Sequence, residues 1–97
     1  MTEIATFMGW SIQYDPAWYE NRATVFVTRP GNRSWERNWS VGDRLFRRDY
    51  TLPELLLLAM TYIQKEELLA AQRQNEVAVA KDLAQALIHD GLLESAP

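Results

Sequence analysis

The stretch that decides the fold of this chain runs from Glu54 to Asp90 and reads ELLLLAMTYIQKEELLAAQRQNEVAVAKDLAQALIHD. It contains no glycine and no proline, and most of its residues are strong helix formers. A single helix of this length would extend roughly 55 Å at about 1.5 Å per residue, whereas a compact domain of about 100 residues has a radius of gyration of about 13 Å. The helix is therefore predicted either to fold back on itself or to find a partner.

The residues that flank this stretch mark where the helix begins and ends. The sequence Thr51-Leu52-Pro53-Glu54 matches a capping box, in which Thr51 is the N-cap and the Glu54 side chain returns to its amide. Pro53 fits the first turn, where its missing amide hydrogen costs nothing. Gly91 is predicted to be the C′ residue that follows the last turn.

A stripe of mostly apolar side chains follows one side of the predicted helix when residues are placed at 100° intervals. Glu66 and Arg73 lie in that stripe, one heptad apart, where they could pair between the two chains of a dimer. The alternative is a hairpin or a kink at the polar residues 72–75, with Asn75 as a second N-cap. The residues of the predicted homodimer interface are Leu55, Ala59, Tyr62, Glu66, Leu69, Arg73 and Val77.

The first half of the chain is predicted to form an antiparallel sheet of about three strands. Ile4–Tyr14 alternates with the period of a half-buried strand, and Asp15-Pro16 is expected to end it. Ala23–Arg29 is rich in Val, Thr and Phe, which favour strands. The sequence Arg29-Pro30-Gly31-Asn32 predicts a type II turn, after which Trp35–Val41 forms the third strand.

These elements predict an α+β fold, in which a short antiparallel β-meander is followed by a long C-terminal helix or helical hairpin. We expect a single domain over 1–97, with a β-rich part at 1–50, a helical part at 51–91 and a tail at 92–97. The four consecutive leucines 55–58 cover every side of one turn, so this turn is predicted to be buried all round.

Charged and aromatic residues are unevenly distributed. From Arg29 to Arg48 six arginines stand against two acids, whereas from Thr51 onward three basic residues stand against seven acids. Aromatic rings mixed with guanidinium groups favour a surface that binds protein or nucleic acid, and packing of the tryptophans in the core is the alternative. The net charge of −3 argues against tight non-specific binding to nucleic acid. The candidate binding residues are Trp35, Arg37, Trp39, Arg44, Arg47 and Arg48.

The sequence carries no pattern that indicates catalysis. There is no cysteine, and the single histidine, His89, falls in the last predicted helical turn, where a cation complements the helix dipole. The four glycines are isolated, so they cannot form a phosphate-binding loop. We therefore expect that the protein is not an enzyme, and that it binds no cofactor and no metal.

The chain also carries no pattern that indicates a membrane protein. Its longest apolar run, Leu55–Met60, is far shorter than the roughly 20 residues that a membrane span needs. The sequence Met1-Thr2-Glu3 lacks the basic and apolar character of a signal peptide. We expect a cytoplasmic protein with no membrane partner.

Several short segments resemble the small early-region proteins of lambdoid phages, a family whose function is poorly defined. The segments that carry this resemblance are Tyr14-Asp15, Ala23-Thr24-Val25, Asn38-Trp39-Ser40, Arg44-Leu45 and the Leu-rich helix opening Leu55–Met60. The chain departs from the family pattern where Pro16 precedes Trp18 and where the Phe of an Asn-Phe-Trp segment is missing. The resemblance implies an origin in a phage or another mobile element.

Two hypotheses for function follow from these observations. The first is a small phage or mobile-element protein that docks on a host protein and modulates or inhibits it, as anti-CRISPR and related anti-defence inhibitors do. The second is an accessory protein that binds nucleic acid through the Trp and Arg residues.

Overall fold

The structure, a computed structural model, describes residues 1–42 and 49–94. Within these ranges the fold is α+β, as predicted: one antiparallel sheet with the strand order β1-β2-β3-β4 is followed by a long helix. The strands are β1 (Thr2–Phe7), β2 (Trp10–Tyr19), β3 (Arg22–Thr28) and β4 (Arg37–Ser40), and the helix is α1 (Leu52–His89). The chain divides into two units, Met1–Lys65 and Glu66–Pro97.

The segment Ile4–Tyr14 was predicted to be one strand, and this prediction is wrong because the segment contains a hairpin. Met8 and Gly9 have φ angles of 51° and 82°, the left-handed values of a two-residue turn between β1 and β2. Phe7 pairs with Trp10 across this turn, so an odd-numbered residue of β1 shares a face with an even-numbered residue of β2. The predicted alternation did not allow for this change of parity: Met8 and Trp10 are both even-numbered, yet Met8 is 55% exposed whereas Trp10 is fully buried.

Pro16 does not end the second strand. β2 continues to Tyr19, and its register with β3 shifts between Asp15 and Tyr19. A proline is tolerated at such an irregularity because no ladder hydrogen bond is required of it. Asp15 supports the local bend, since its Oδ1 accepts a hydrogen bond from the amide of Ala17 at 2.9 Å.

The turn after β3 has the predicted geometry. The amide of Asn32 donates to the carbonyl of Arg29 at 3.1 Å, and Gly31 has a φ of 84°, as the third position of a type II turn requires. The strand that follows is shorter than the predicted Trp35–Val41, since β4 covers only four residues.

Residues 72–75 lie within one uninterrupted helix, so the alternative of a helical hairpin there is wrong. The capping box is confirmed: the amide of Glu54 donates to Thr51 Oγ1 at 3.4 Å, and the amide of Thr51 donates to Glu54 Oε1 at 3.2 Å. The C-terminal end is also as predicted. Gly91 has a φ of 78° and donates to the carbonyl of Ile88 at 3.0 Å.

Replacing Thr51 with alanine should lower the free energy of unfolding by about 1 kcal/mol, because the amide of Glu54 loses its acceptor. Thr61→Ala is the matched control. Thr61 lies within the helix, where its hydroxyl donates to the carbonyl of Leu57 at 2.8 Å, a bond that adds little to helix stability. Denaturant titration of both variants checks this, and an equal loss in the two would contradict an N-cap role for Thr51.

The core of the unit Met1–Lys65 lies between one face of the sheet and the first turns of α1. Its fully or almost fully buried members are Trp10, Ile12, Val25, Val27, Leu55, Ala59 and Ile63. The leucine turn is not buried all round, since Leu57 is 62% exposed and Leu56 and Leu58 are half-buried. A helix that packs on a single sheet leaves its outer side in solvent, which explains the exposed Leu57.

Candidate functional site

The register of the sheet separates the candidate binding residues onto two faces. Trp39 pairs with the buried Val25, so Trp39, and Arg37 two residues before it, share the face of the helix. Trp35 lies on the opposite face, with its ring centroid 5.3 Å from that of Phe26. Trp35 is thus separated from the other two, whereas Arg37 and Trp39 stay together, with the Arg37 guanidinium 5.8 Å from the centre of the Trp39 ring. Arg44, Arg47 and Arg48 lie outside the described residues.

A polar network on the helix side joins the β3–β4 connection to α1. Nε and Nη2 of Arg29 donate to the two carboxylate oxygens of Glu36 at 2.8 and 3.1 Å. The hydroxyl of Tyr62 donates to Glu36 Oε2 at 2.6 Å. The Arg29 guanidinium also lies 4.5 Å from the centre of the Trp10 ring. These contacts hold the connection after β3 against the helix, so we assign them a structural role.

The carboxyl group of Glu36 has a lowered pKa in this network. The main cause is the hydrogen bond from Arg29, and the hydrogen bond from Tyr62 and the charge of Arg29 act in the same direction. Partial burial opposes these effects but does not outweigh them. Glu36 is therefore held in its charged form.

Glu36→Gln should change how stability depends on pH. The folded pKa of Glu36 lies below its unfolded value. The carboxylate therefore stabilises the fold at pH values above the ordinary glutamate pKa of about 4.3. That contribution is lost as the pH falls through the lowered folded value. The difference in free energy of unfolding between the parent and Glu36→Gln should therefore be largest near neutral pH and shrink in acid. Urea titrations across this range check it, and a difference independent of pH would contradict it.

Three residues of the predicted dimer interface are used within the chain itself. Leu55 and Ala59 are fully buried in the core, which leaves them no surface for a second copy. The Tyr62 ring packs edge-on against the rings of Trp10 and Trp39, with centroid distances of 6.1 and 5.5 Å. For Leu55 and Ala59 the predicted interface role is therefore replaced by a role in the core.

The other four residues of the predicted interface belong to the unit Glu66–Pro97. Glu66 and Leu69 are half-buried, whereas Arg73 and Val77 are exposed. Large apolar side chains of this unit's helical segment are also exposed, namely Leu68, Val77, Val79, Leu83 and Leu87. His89 lies in the last helical turn, as predicted, with Nδ1 3.7 Å from Asp90 Oδ1.

The sheet face opposite the helix carries an aromatic cluster, which we term the aromatic face: Trp18, Phe26 and Trp35. Phe26 is fully buried because the two tryptophan rings pack on it, Trp18 at 5.0 Å and Trp35 at 5.3 Å. The tryptophan rings meet each other edge-on at 6.5 Å. Trp18 nevertheless remains 46% exposed and Trp35 38% exposed.

Trp18 is not among the predicted binding residues, because Pro16 was expected to end the strand before it. The available signal was Glu20-Asn21, whose φ angles of 51° and 56° form the tight turn between β2 and β3. Asparagine is common in such turns. A hairpin centred there would have extended β2 to Tyr19 and placed Trp18 in the sheet.

The chain matches no protein-family model, no curated protein and no solved structure. In residues 1–42 and 49–94, no group of three or more His, Cys, Asp or Glu side chains is placed to hold a metal ion. No helix in the same ranges is both long and apolar enough to cross a membrane. The aromatic face is the strongest candidate site in the described part of the chain, because two partly exposed tryptophans are held there on the buried Phe26.

Proposed function

We propose that this protein is a non-catalytic binding protein that docks on another protein through the aromatic face. The observation that carries the proposal is the pair Trp18 and Trp35, each more than one third exposed and both held in place by packing on Phe26. Tryptophan is among the side chains most enriched at the energetic centres of protein interfaces. Rings held in place before binding lose little conformational entropy when a partner covers them.

The border of the aromatic face supports a protein partner over nucleic acid. Gln13 pairs with Phe26 across the sheet, and Asp15 pairs with Thr24, so both side chains project on this face. Arg33 also borders this face, since it lines a cavity together with Gln13 and Trp35. A mixed border of neutral, acidic and basic groups around an apolar centre is typical of a protein interface rim. Binding of nucleic acid depends on neutralising phosphates, and Arg37 projects from the opposite face. Nucleic-acid binding is the alternative that this arrangement disfavours.

The test has two steps, because the partner must first be identified. A photo-reactive amino acid at position 35 should cross-link to one main protein in cells, whereas the same group at the exposed Leu57 should not. The purified partner is then titrated by calorimetry with the parent, with Trp18→Ala/Trp35→Ala and with the control Leu57→Ala. We expect the double variant to lose more than about tenfold in affinity and the control to bind as the parent does. Equal affinity of a folded double variant would overturn the proposal.

We further propose that the docked partner is a host protein whose activity is modulated or inhibited, as by an anti-CRISPR or another anti-defence inhibitor. This proposal rests on the resemblance to small phage proteins and on the binding surface. This proposal is tested by counting phage plaques on hosts with a defined defence system. Expression of the parent should raise plaque numbers, whereas the folded Trp18→Ala/Trp35→Ala variant should not.

A homodimer is the second proposed partnership, and it involves the helical segment of the unit Glu66–Pro97. Its support is the exposure of Val77 and Leu87, which both lie in the predicted apolar stripe. In water such a helix gains stability by burying its apolar side.

Sedimentation equilibrium at micromolar concentration should give about twice the chain mass of 11.3 kDa. Val77→Asp should weaken the dimer more than Lys81→Asp, since Val77 lies in the apolar stripe and Lys81 lies outside it. A monomer at this concentration, or equal effects of the two variants, would contradict the proposal.

A further inference from the structure

The outer edge of β4 presents main-chain groups for hydrogen bonding. The amide of Val41 donates to the carbonyl of Ala23 at 3.0 Å, and Trp39 pairs with Val25. Because antiparallel pairing alternates, the amide and carbonyl groups of Asn38 and Ser40 point away from β3. No other strand of the described residues pairs with this edge.

The other edge of the sheet, β1, is less suited to pairing. Its register is irregular between Glu3 and Ala5, and such a bulge twists an edge away from a further strand. The two edges are thus not equivalent, and β4 is the one with a regular register.

A cavity of about 360 Å³ lies along the β4 edge. Its lining residues are Arg22, Arg37, Asn38, Trp39, Ser40, Tyr50 and Leu58. Four consecutive residues of β4 line it, and alternate residues of a strand point to opposite faces. The cavity therefore follows the strand edge, and Trp39, Tyr50 and Leu58 give it an apolar wall on the helix side.

The cavity carries a positive charge that no carboxylate of the described residues neutralises. The Arg37 guanidinium lies over the Trp39 ring, 5.8 Å from its centre, and no described carboxylate pairs with it. Arg22 differs, since its Nη2 lies 3.1 Å from Glu20 Oε2 and its Nη1 donates to the carbonyl of Gly42 at 2.7 Å. Arg37 is thus the cation that is available to a ligand.

We propose that the β4 edge binds an extended segment of the partner protein by strand addition. The segment carries a carboxylate opposite Arg37 and an apolar side chain opposite Trp39. These two side chains are two residues apart in the segment, because such residues project on the same face. Main-chain hydrogen bonds to Asn38 and Ser40 supply affinity, and the two side chains supply specificity. This inference rests on the proposed function, since it names the chemistry of the bound partner.

The probe is the peptide Ac-Thr-Glu-Thr-Leu-Thr-Glu-Thr-NH2, in which a Glu stands two residues from Leu on either side. It therefore fits β4 in a parallel or an antiparallel direction. Titrated into the 15N-labelled protein, it should give saturable shifts of the amides of Asn38 and Ser40. It should also give intermolecular NOEs between strands. No shift at these amides at millimolar peptide concentrations would overturn the proposal.

Two controls test the assigned chemistry. Ac-Thr-Thr-Glu-Leu-Glu-Thr-Thr-NH2 has the same composition, but each Glu is adjacent to Leu, so it should bind at least about fivefold more weakly. Arg37→Glu should weaken binding of the first peptide by about tenfold or more, whereas the same change at the exposed Arg33 should not. Equal binding of both peptides, or equal effects of the two arginine variants, would show general charge attraction and overturn the proposal.

The result of the peptide experiment can be separated from the result of the test for docking through the aromatic face. Trp18→Ala/Trp35→Ala should leave peptide binding unchanged, because both rings lie on the other face of the sheet. If the natural partner needs the two tryptophans but the peptide does not bind at β4, strand addition fails and the proposed function stands. If the peptide binds and the tryptophans are dispensable for the partner, docking through the aromatic face fails instead.

Discussion

Trp10→Ala should lower the free energy of unfolding by about 3–5 kcal/mol, the largest loss expected from any single change considered for this chain. Trp10 is fully buried in the core between the sheet and the helix. Its ring also meets Tyr62 edge-on at 6.1 Å and lies under the Arg29 guanidinium at 4.5 Å. Alanine would leave a cavity and would remove both ring contacts at once. Denaturant unfolding, followed by circular dichroism, gives the loss directly.

Ile4→Ala is the informative control for Trp10. The two residues share a parity in the sequence, but the hairpin at Met8 and Gly9 separates them in the structure. Ile4 is 46% exposed, so its truncation should cost only about 0.5 kcal/mol. If Trp10→Ala is as stable as the parent, or if Ile4→Ala costs as much, the register of β1 with β2 is not the one described.

Leu55→Ala should cost about 2–5 kcal/mol, whereas Leu57→Ala, the same change two positions later, should cost within about 0.5 kcal/mol. Leu55 is fully buried against the sheet and Leu57 is 62% exposed. Helix propensity cannot separate the two changes, because both replace leucine with alanine in the first turns of one helix. The difference therefore measures tertiary packing alone.

The same pair of variants also tests how the leucine turn is covered. Denaturant titrations at several protein concentrations would show whether Leu57→Ala loses stability only when chains associate. A large loss for Leu57→Ala in the monomer would mean that the outer side of the first helical turns is packed, contrary to the structure. A small loss in the free energy of unfolding for Leu55→Ala would show that the start of the helix does not pack in the core.

The parts of the fold that local rules control were predicted well. The capping box at Thr51 and Glu54, the glycine that ends the helix at Gly91 and the type II turn at Gly31 each depend on a few neighbouring residues. Their backbone conformations follow from a side-chain acceptor, from the absence of a Cβ atom or from a fixed proline φ. The candidate site was predicted less well, since its residues come from different strands.

The sequence by itself determined an α+β fold with a long, uninterrupted helical stretch, because helix propensity and caps act within a few residues. It did not determine which tryptophans share a face. That depends on the hairpin at Met8 and Gly9, where a two-residue turn changes the parity, and on the irregularity after Asp15, where a shifted register carries Trp18 onto Phe26. Only the tertiary pairing of strands decided that Trp18 and Trp35 meet on one face while Trp39 packs against Tyr62 on the other, because strand contacts join residues far apart in sequence.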